Sequence, residues 1–135
     1  MKIETFSSDE IDWQVDEGFT YIVKELSTSR FYIGKKNVYS KYTPKGMKNK
    51  KRKESDWRRY PTSSKELSAK IKAFPENYAF EILTICGNSS SLTIDELKYM
   101  MEYDCLTNPL SYNENCKINI MCKIKNYVSR KINKG

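Results

Sequence analysis

A chain of 135 residues with 39% hydrophobic and 30% charged residues has the size and composition of one globular domain. No apolar run reaches the roughly 18 residues that a membrane-spanning helix needs, and the acidic start of the chain argues against a signal peptide, so we expect a cytoplasmic protein without a membrane partner. There is no histidine, and the four cysteines (Cys86, Cys105, Cys116 and Cys122) include no C-x-x-C pair, which argues against a structural zinc site and removes the commonest general base near neutral pH.

The first predicted elements are two strands joined by a polar turn. Residues 19–26 alternate in character, so Phe19, Tyr21 and Val23 are expected on one face of a strand. Residues 30–35 are predicted to be its hairpin partner. A Phe-Thr-Tyr triplet ends at Tyr21, and a Tyr-Ile-Gly triplet begins at Tyr32 after ten intervening residues. The hairpin would therefore present two phenols side by side.

Positive charge is concentrated in the segment that follows. The net charge is +7, and residues 35–59 hold eleven basic residues against two acidic ones. Residues 1–17 hold six acids, whereas the tail from residue 117 has six basic residues and no acid. Residues 37–55 show no apolar period and contain Pro44 and Gly46, so we predict a long, exposed and mobile basic loop over 35–55. This distribution favours a polyanion binder over a merely solvated loop.

A helix and a third strand are predicted next. Ser63-Ser64-Lys65-Glu66 fits a capping box that begins a helix, with Leu67, Ile71 and Phe74 on its buried face and Pro75 at its end. Residues 78–86 are rich in aromatic and β-branched residues and predict a strand.

A second helix is predicted from the capping box at residues 93–96 to about Leu106, where Asn108-Pro109 follows. Cys86 and Cys105 are expected to be buried free thiols. The tail from residue 117 fits either a helix or a short strand. The order of elements predicts an α/β or α+β fold, with a small antiparallel-containing sheet of about three strands and flanking helices.

These motifs resemble those of the GIY-YIG nuclease family. The triplet at residues 32–34 matches the second motif of the family, the triplet ending at Tyr21 stands at its first, and the gap between them suits the family. The first motif lacks its Gly-Ile, although Gly18 precedes it. Residues 54–67 look like a phage-encoded, homing-endonuclease-like branch. The resemblance covers residues 18–120 and implies a single nuclease domain over 1–135, with an acidic extension at 1–17, the basic loop at 35–55 and the basic tail at 117–135.

The resemblance implies hydrolysis of DNA phosphodiester bonds with a divalent metal, Mg²⁺ or Mn²⁺. It implies Tyr21 and Tyr32 as catalytic phenols, Glu96 as catalytic metal ligand, and Arg58 as the catalytic cation, in place of the helix arginine that the family usually has after its second motif. One carboxylate suffices for Mg²⁺ when water and phosphate complete its shell. A phenol can relay a proton if neighbouring cations lower its pKa. The predicted DNA-binding residues are Lys35, Lys36, Lys48, Lys50, Lys51, Arg52, Lys53, Arg59 and Asn113.

Several assignments leave an alternative open. Arg59 and Arg52 stand behind Arg58 as the cation, and Glu102 competes with Glu96. Strand tyrosines often only pack a sheet, Glu96 is where a capping glutamate would stand, and Asn113 could be a turn residue. Trp57 could be a core anchor, or it could stack on bases together with the nearby tyrosines Tyr39, Tyr42 and Tyr60.

Two functions remain at this stage. The first is a phage-type DNA endonuclease in the cytoplasm of a host cell. The second is a nucleic-acid-binding module of the same fold that does not cut. For either function a homo-oligomer is a candidate assembly.

Overall fold

The computed structural model describes residues 4–113 and 126–132 and has a mixed α+β fold. The strands are β1 (Gly18–Glu25), β2 (Phe31–Asn37), β3 (Tyr39–Tyr42), β4 (Lys51–Glu54), β5 (Tyr78–Cys86) and β6 (Ser129–Lys131). The helices are α1 (Lys65–Ala73) and α2 (Ser89–Glu102). The main sheet is antiparallel with the order β2-β1-β5-β6, and β3 pairs with β4 in a separate hairpin. The predicted fold class is confirmed, and the main sheet gains a fourth strand from the tail.

Strand β1 contributes to two cores because its side chains alternate between the faces of the sheet. Phe19, Tyr21 and Val23 join the larger cluster with Leu67 of α1. Ile22 points to the other face and packs in the cluster that contains Met100 of α2. The alternation predicted for this strand is confirmed.

Helix α1 begins where the capping box predicts. The Ser64 hydroxyl accepts a hydrogen bond from the Leu67 N–H at 3.3 Å, which satisfies one of the free donors of the first turn. Leu67 and Ile71 are buried as predicted, but Phe74 is 63% exposed. The prediction for Phe74 was wrong because the helix ends at Ala73, so Phe74 leaves the helical face.

Helix α2 begins four residues before its predicted start and ends at Glu102, short of Leu106. Its cap is Asn88, whose side-chain oxygen accepts from the Ser91 N–H at 2.8 Å. The buried Ser91 hydroxyl in turn accepts from the Val128 N–H at 2.7 Å. This tertiary contact favours the earlier start, and it places Glu96 outside the first turn, so a capping role for Glu96 is excluded.

The long loop predicted over residues 35–55 is wrong, because β3 and β4 form a hairpin there. Its register pairs Lys41 with Arg52 and Tyr39 with Glu54. The Arg52 guanidinium lies 3.5 Å from the Tyr39 ring centroid and donates to the carbonyl of Trp13 at 2.7 Å. Cations and a phenol hold this hairpin in place, so its sequence lacks the apolar period from which strands are predicted.

The acidic N-terminal extension is part of the fold. Phe6 is 1% exposed in the larger core, and the buried Asp16 carboxylate binds the Arg130 guanidinium of β6 at 3.0 and 3.1 Å. The predicted burial of Cys86 and Cys105 is confirmed. Most of the tail, with Cys116 and Cys122, lies outside the described residues, and its described part includes β6. Of the helices in the described ranges, none is long and apolar enough to cross a membrane.

Candidate active site

The hairpin of β1 and β2 brings the two motif tyrosines together. The register pairs Tyr21 with Gly34 and Val23 with Tyr32, so the tyrosines are diagonal neighbours on one face. Their ring centroids are 6.3 Å apart. The predicted side-by-side phenols are confirmed.

Gly34 makes room for the Tyr21 phenol. A Cβ atom at Gly34 would lie 2.4 Å from the Tyr21 hydroxyl oxygen and 2.5 Å from its Cζ atom. The phenol therefore packs directly over the backbone of the Tyr-Ile-Gly triplet. Any side chain at the third position of that motif would clash with the phenol, which explains why glycine stands there.

Both phenols keep their protons at neutral pH. Burial raises the pKa of Tyr21, whose side chain is fully buried and whose hydroxyl lies 3.5 Å from that of Thr62. Burial also raises the pKa of the half-buried Tyr32, and the charge of Glu96 adds to the shift, although a 2.6 Å hydrogen bond with the Ser63 hydroxyl opposes it. Burial therefore outweighs the neighbouring charges and hydrogen bonds for both phenols, and it moves their pKa values away from the lowered pKa that a proton relay would require.

The Tyr32 hydroxyl opens into a cavity of about 420 Å³ at the N-terminus of α1. Its lining residues are Tyr32, Ser63, Ser64, Lys65, Glu66, Tyr112 and Asn113. Helix N-termini attract anions through their free N–H groups and the helix dipole, and Lys65 adds a full positive charge. From their sequence pattern, Ser63 and Lys65 are expected only to begin a helix. They also line this cavity, which could have been inferred if the N-terminus of α1 had been placed opposite the strand that carries Tyr32.

Glu96 stands on α2 within electrostatic range of Tyr32, since its charge contributes to the raised pKa of that phenol. Burial raises the pKa of Glu96 itself, and Lys35 opposes that shift. The Lys35 ammonium donates to the Thr93 hydroxyl at 3.0 Å. Within residues 4–113 and 126–132 there is no cluster of three or more His, Cys, Asp or Glu side chains suited to a metal. A single carboxylate fits Mg²⁺, which keeps much of its water, better than it fits a metal that needs a full protein cage.

Glu102 lies at the last position of α2, against a second cavity of about 380 Å³ that also contains Asp95. The Asp95 carboxylate is 2% exposed and accepts hydrogen bonds from Thr84 at 2.9 Å and from Ser129 and Tyr127. Burial opposes ionisation of Asp95, but these bonds outweigh it and lower its pKa. Asp95 therefore holds the returning tail segment onto α2 and β5.

The predicted arginine is found at the base of the β3–β4 hairpin. The Arg58 guanidinium stacks 4.2 Å from the Trp57 ring and lies 3.3 Å from the Glu54 carboxylate. Neither contact is with Tyr21 or Tyr32. Arg59, its neighbour, is exposed.

The cation next to the tyrosines is Lys36, on the same face of β2 as Tyr32. Its ammonium lies 4.2 Å from the ring centroid of Tyr60 and 2.7 Å from the Asp56 carboxylate. The Tyr60 ring in turn lies 6.5 Å from that of Tyr21. Tyr60 thus extends the tyrosine pair toward the hairpin.

Asn113 supports the strand that carries Tyr32. Its side-chain oxygen accepts from the Ile33 N–H at 3.0 Å, and its amide nitrogen donates to the Ile33 carbonyl at 2.8 Å. The amide acts as a short extra strand partner at this edge, beside the cavity that Asn113 also lines.

The remaining predicted DNA-binding residues lie on the β3–β4 hairpin. Lys48, Lys50, Lys51 and Lys53 are exposed, whereas Arg52 is half-buried and bound to the N-terminal extension. Trp57 is fully buried, so it is a core anchor and cannot stack on bases. Its indole N–H donates to the Glu54 carboxylate at 2.9 Å.

Comparison with known proteins gives one result. The family model described as "Putative endonuclease segE, GIY-YIG domain" matches residues 1–121. No curated protein and no solved structure matches the chain.

Proposed function

The chain belongs to the GIY-YIG endonuclease family, and from that premise we propose that it is a metal-dependent endonuclease that hydrolyses phosphodiester bonds of DNA. The observation that supports this most is the position of the Tyr32 hydroxyl, at the opening of a cavity beside the N-terminus of α1. Tyr21 packs behind it. We also propose that the enzyme is phage-encoded and acts in the cytoplasm of a host cell.

A DNA phosphate is the group that we expect in this cavity. The free N–H groups of the first turn of α1 and the ammonium of Lys65 favour an anion there. The hydroxyls of Tyr32 and Ser63 can each donate a hydrogen bond. Burial raises the pKa of Tyr32, and its protonated hydroxyl can donate a hydrogen bond that orients a phosphate oxygen or the attacking water.

Glu96 is the residue that would hold Mg²⁺ or Mn²⁺. Its carboxylate is partly buried, and no ion pair with it is found among the described residues, so it can accept a cation. Bound there, the ion would neutralise the charge that develops on the phosphate and its leaving oxygen. The positive charge of Lys35 limits the rise of the Glu96 pKa, which favours the ionised carboxylate that a cation would bind.

Two cations are candidates for stabilising the phosphate during cleavage. Arg58 is the arginine proposed from the sequence, and a guanidinium can clamp two phosphate oxygens at once. Lys65 lines the cavity itself. Single substitutions distinguish them, because the stronger loss of cleavage rate at saturating DNA should follow the residue that touches the phosphate.

Conversion of supercoiled plasmid to nicked or linear DNA tests the proposal, with Mg²⁺, with Mn²⁺ and with chelator. Cutting should require the metal and should be lost in Glu96→Gln and strongly reduced in Tyr32→Phe. Metal-dependent cutting by Glu96→Gln at the parent rate would refute the assignment, and Glu102→Gln would be the next variant.

The alternative is a binding module of the same fold. Two observations favour it, since Tyr21 is fully buried and Arg58 contacts Glu54 and Trp57 instead of the tyrosines. Duplex binding without any cutting in either metal would establish this alternative.

A further inference from the structure

The β3–β4 hairpin has two faces with different surroundings. Residues opposite each other in an antiparallel pair share a face, so Tyr39, Lys41, Arg52 and Glu54 form one face. This face turns to the body, because the Tyr39 hydroxyl donates to the Glu17 carboxylate at 3.1 Å and the Arg52 guanidinium donates to backbone carbonyls of the N-terminal extension. The inner face therefore fixes the hairpin to the rest of the protein.

The outer face carries Ser40, Tyr42, Lys51 and Lys53. Tyr42, Lys51 and Lys53 are exposed, and the Lys53 ammonium lies 5.4 Å from the Tyr42 ring centroid. Over residues 39–54 there are seven basic residues and one acid. Such a charge suits a polyanion and no neutral partner.

The tip of the hairpin stands clear of the body. A Cβ atom at Gly46 would meet no atom within 4 Å among the described residues, and the exposed Met47 donates its N–H to the Pro44 carbonyl at 3.0 Å in a turn. At about 3.4 Å per residue, each four-residue strand is roughly 14 Å long, and the turn that contains Gly46 lies beyond the strand ends.

We propose that this hairpin enters the major groove of duplex DNA as a two-stranded ribbon, with Lys51 and Lys53 of the outer face against phosphates. The inference rests on the proposed DNA substrate. Two paired strands lie about 5 Å apart and are roughly 10 Å wide with side chains, which fits a major groove about 12 Å wide and not a minor groove about 6 Å wide.

The base of the hairpin leads to the candidate active site. The Ser55 N–H donates to the Val38 carbonyl at 3.0 Å, and Lys36 links Asp56 to the Tyr60 ring beside the tyrosine pair. A duplex seated on the hairpin is thereby positioned next to the Tyr32 cavity.

Binding without cutting tests the proposal. Fluorescence anisotropy of an alternating A–T duplex in chelator gives the slope of log K against log salt. Lys51→Gln/Lys53→Gln should flatten that slope by about 1.8, at roughly 0.9 for each lost phosphate contact. The matched control is Lys24→Gln/Lys72→Gln, which removes the same charge near the ends of β1 and α1, outside the hairpin, and should leave the slope unchanged. Thermal unfolding of both variants checks the fold.

Competition identifies the groove. Methyl green, a cationic ligand of the major groove, should displace the protein, whereas distamycin, a cationic ligand of the minor groove, should not. Displacement by distamycin alone would overturn the proposal, and so would equal slopes for the two double variants. If plasmid is cut while the hairpin variant binds as the parent does, the hairpin inference fails and the nuclease function stands. If binding follows the hairpin but no metal supports cutting, the nuclease function fails and the hairpin inference stands.

Discussion

Substitution of Gly34 by alanine tests whether the contact between the two motifs matters. The new Cβ atom would lie 2.4 Å from the Tyr21 hydroxyl oxygen, so the phenol or the strand must move by about 1 Å to reach an ordinary contact. The phenol has little freedom, because Tyr21 is fully buried and the Phe6 ring centroid lies 4.9 Å from its own. Gly34 has no positive φ angle, so backbone strain does not contribute.

The expected loss of stability follows from two opposing effects. Overpacking a filled core costs about 1–3 kcal/mol. Alanine also lowers the conformational entropy of the unfolded chain relative to glycine, which stabilises the folded state by about 0.4–1 kcal/mol. The net destabilisation should therefore be about 1–2 kcal/mol. Cleavage should fall further, by on the order of 10²-fold, because a displacement of 1 Å at a reacting group costs about that much.

Urea unfolding and plasmid nicking measure the two effects separately. Tyr21→Phe removes the atom nearest to the new methyl group, so Gly34→Ala should cost less stability in that background, by about 0.5–1 kcal/mol. Relief is partial because the ring carbon stays at 2.5 Å. An unfolding midpoint and a cutting rate equal to those of the parent would refute the reasoning.

Three other substitutions have defined outcomes. Glu96→Gln should stop metal-dependent nicking yet keep or raise the free energy of unfolding at neutral pH, because burial disfavours the charged carboxylate; a strong loss of stability would contradict this. Tyr32→Phe should lower the nicking rate by ~10²–10³-fold, the loss expected when one hydrogen-bond donor to the reacting group is removed, with a small change in unfolding free energy; parent-rate nicking would make the phenol structural. The folded-state pKa of Asp95 is lowered, so its stabilisation is present above its unfolded value of ~3.9 and is lost as pH falls through the folded value. In Asp95→Asn, the unfolding free energy measured in urea should lose the part that falls at acidic pH. A pH profile of unfolding free energy equal to that of the parent would contradict this role of Asp95.

The main sheet was predictable where side chains alternate between two cores. Strand β5 has the predicted bounds, and Phe19, Tyr21 and Val23 share the predicted face, because period-two patterns reflect burial directly. The β3–β4 hairpin escaped prediction because its inner face is held by the Arg52 guanidinium, a cation that pattern reasoning assigns to solvent.

The candidate site was predictable in its motifs and not in its surroundings. The spacing of Tyr21 and Tyr32 indicated their pairing, and the register confirms it. The raised pKa values of these phenols depend on tertiary burial, and the approach of Ser63 to Tyr32 depends on how α1 is docked. Neither is encoded within one segment. The position of Lys65 beside the cavity also depends on how α1 is docked, so the sequence pointed to arginines, Arg58 first, and not to Lys65 as the catalytic cation.

The amide of Asn113 has a consequence for self-association. An outer strand usually offers unpaired N–H and C=O groups onto which another chain can add a strand. Here the Ile33 groups are taken by Asn113, and the Phe31 N–H and C=O bond Leu110 and Tyr112 at 3.0 and 2.7 Å. This stretch of β2 is therefore closed to a second copy. A dimer formed by sheet extension there is excluded, and two chains that meet on DNA would have to use a different surface.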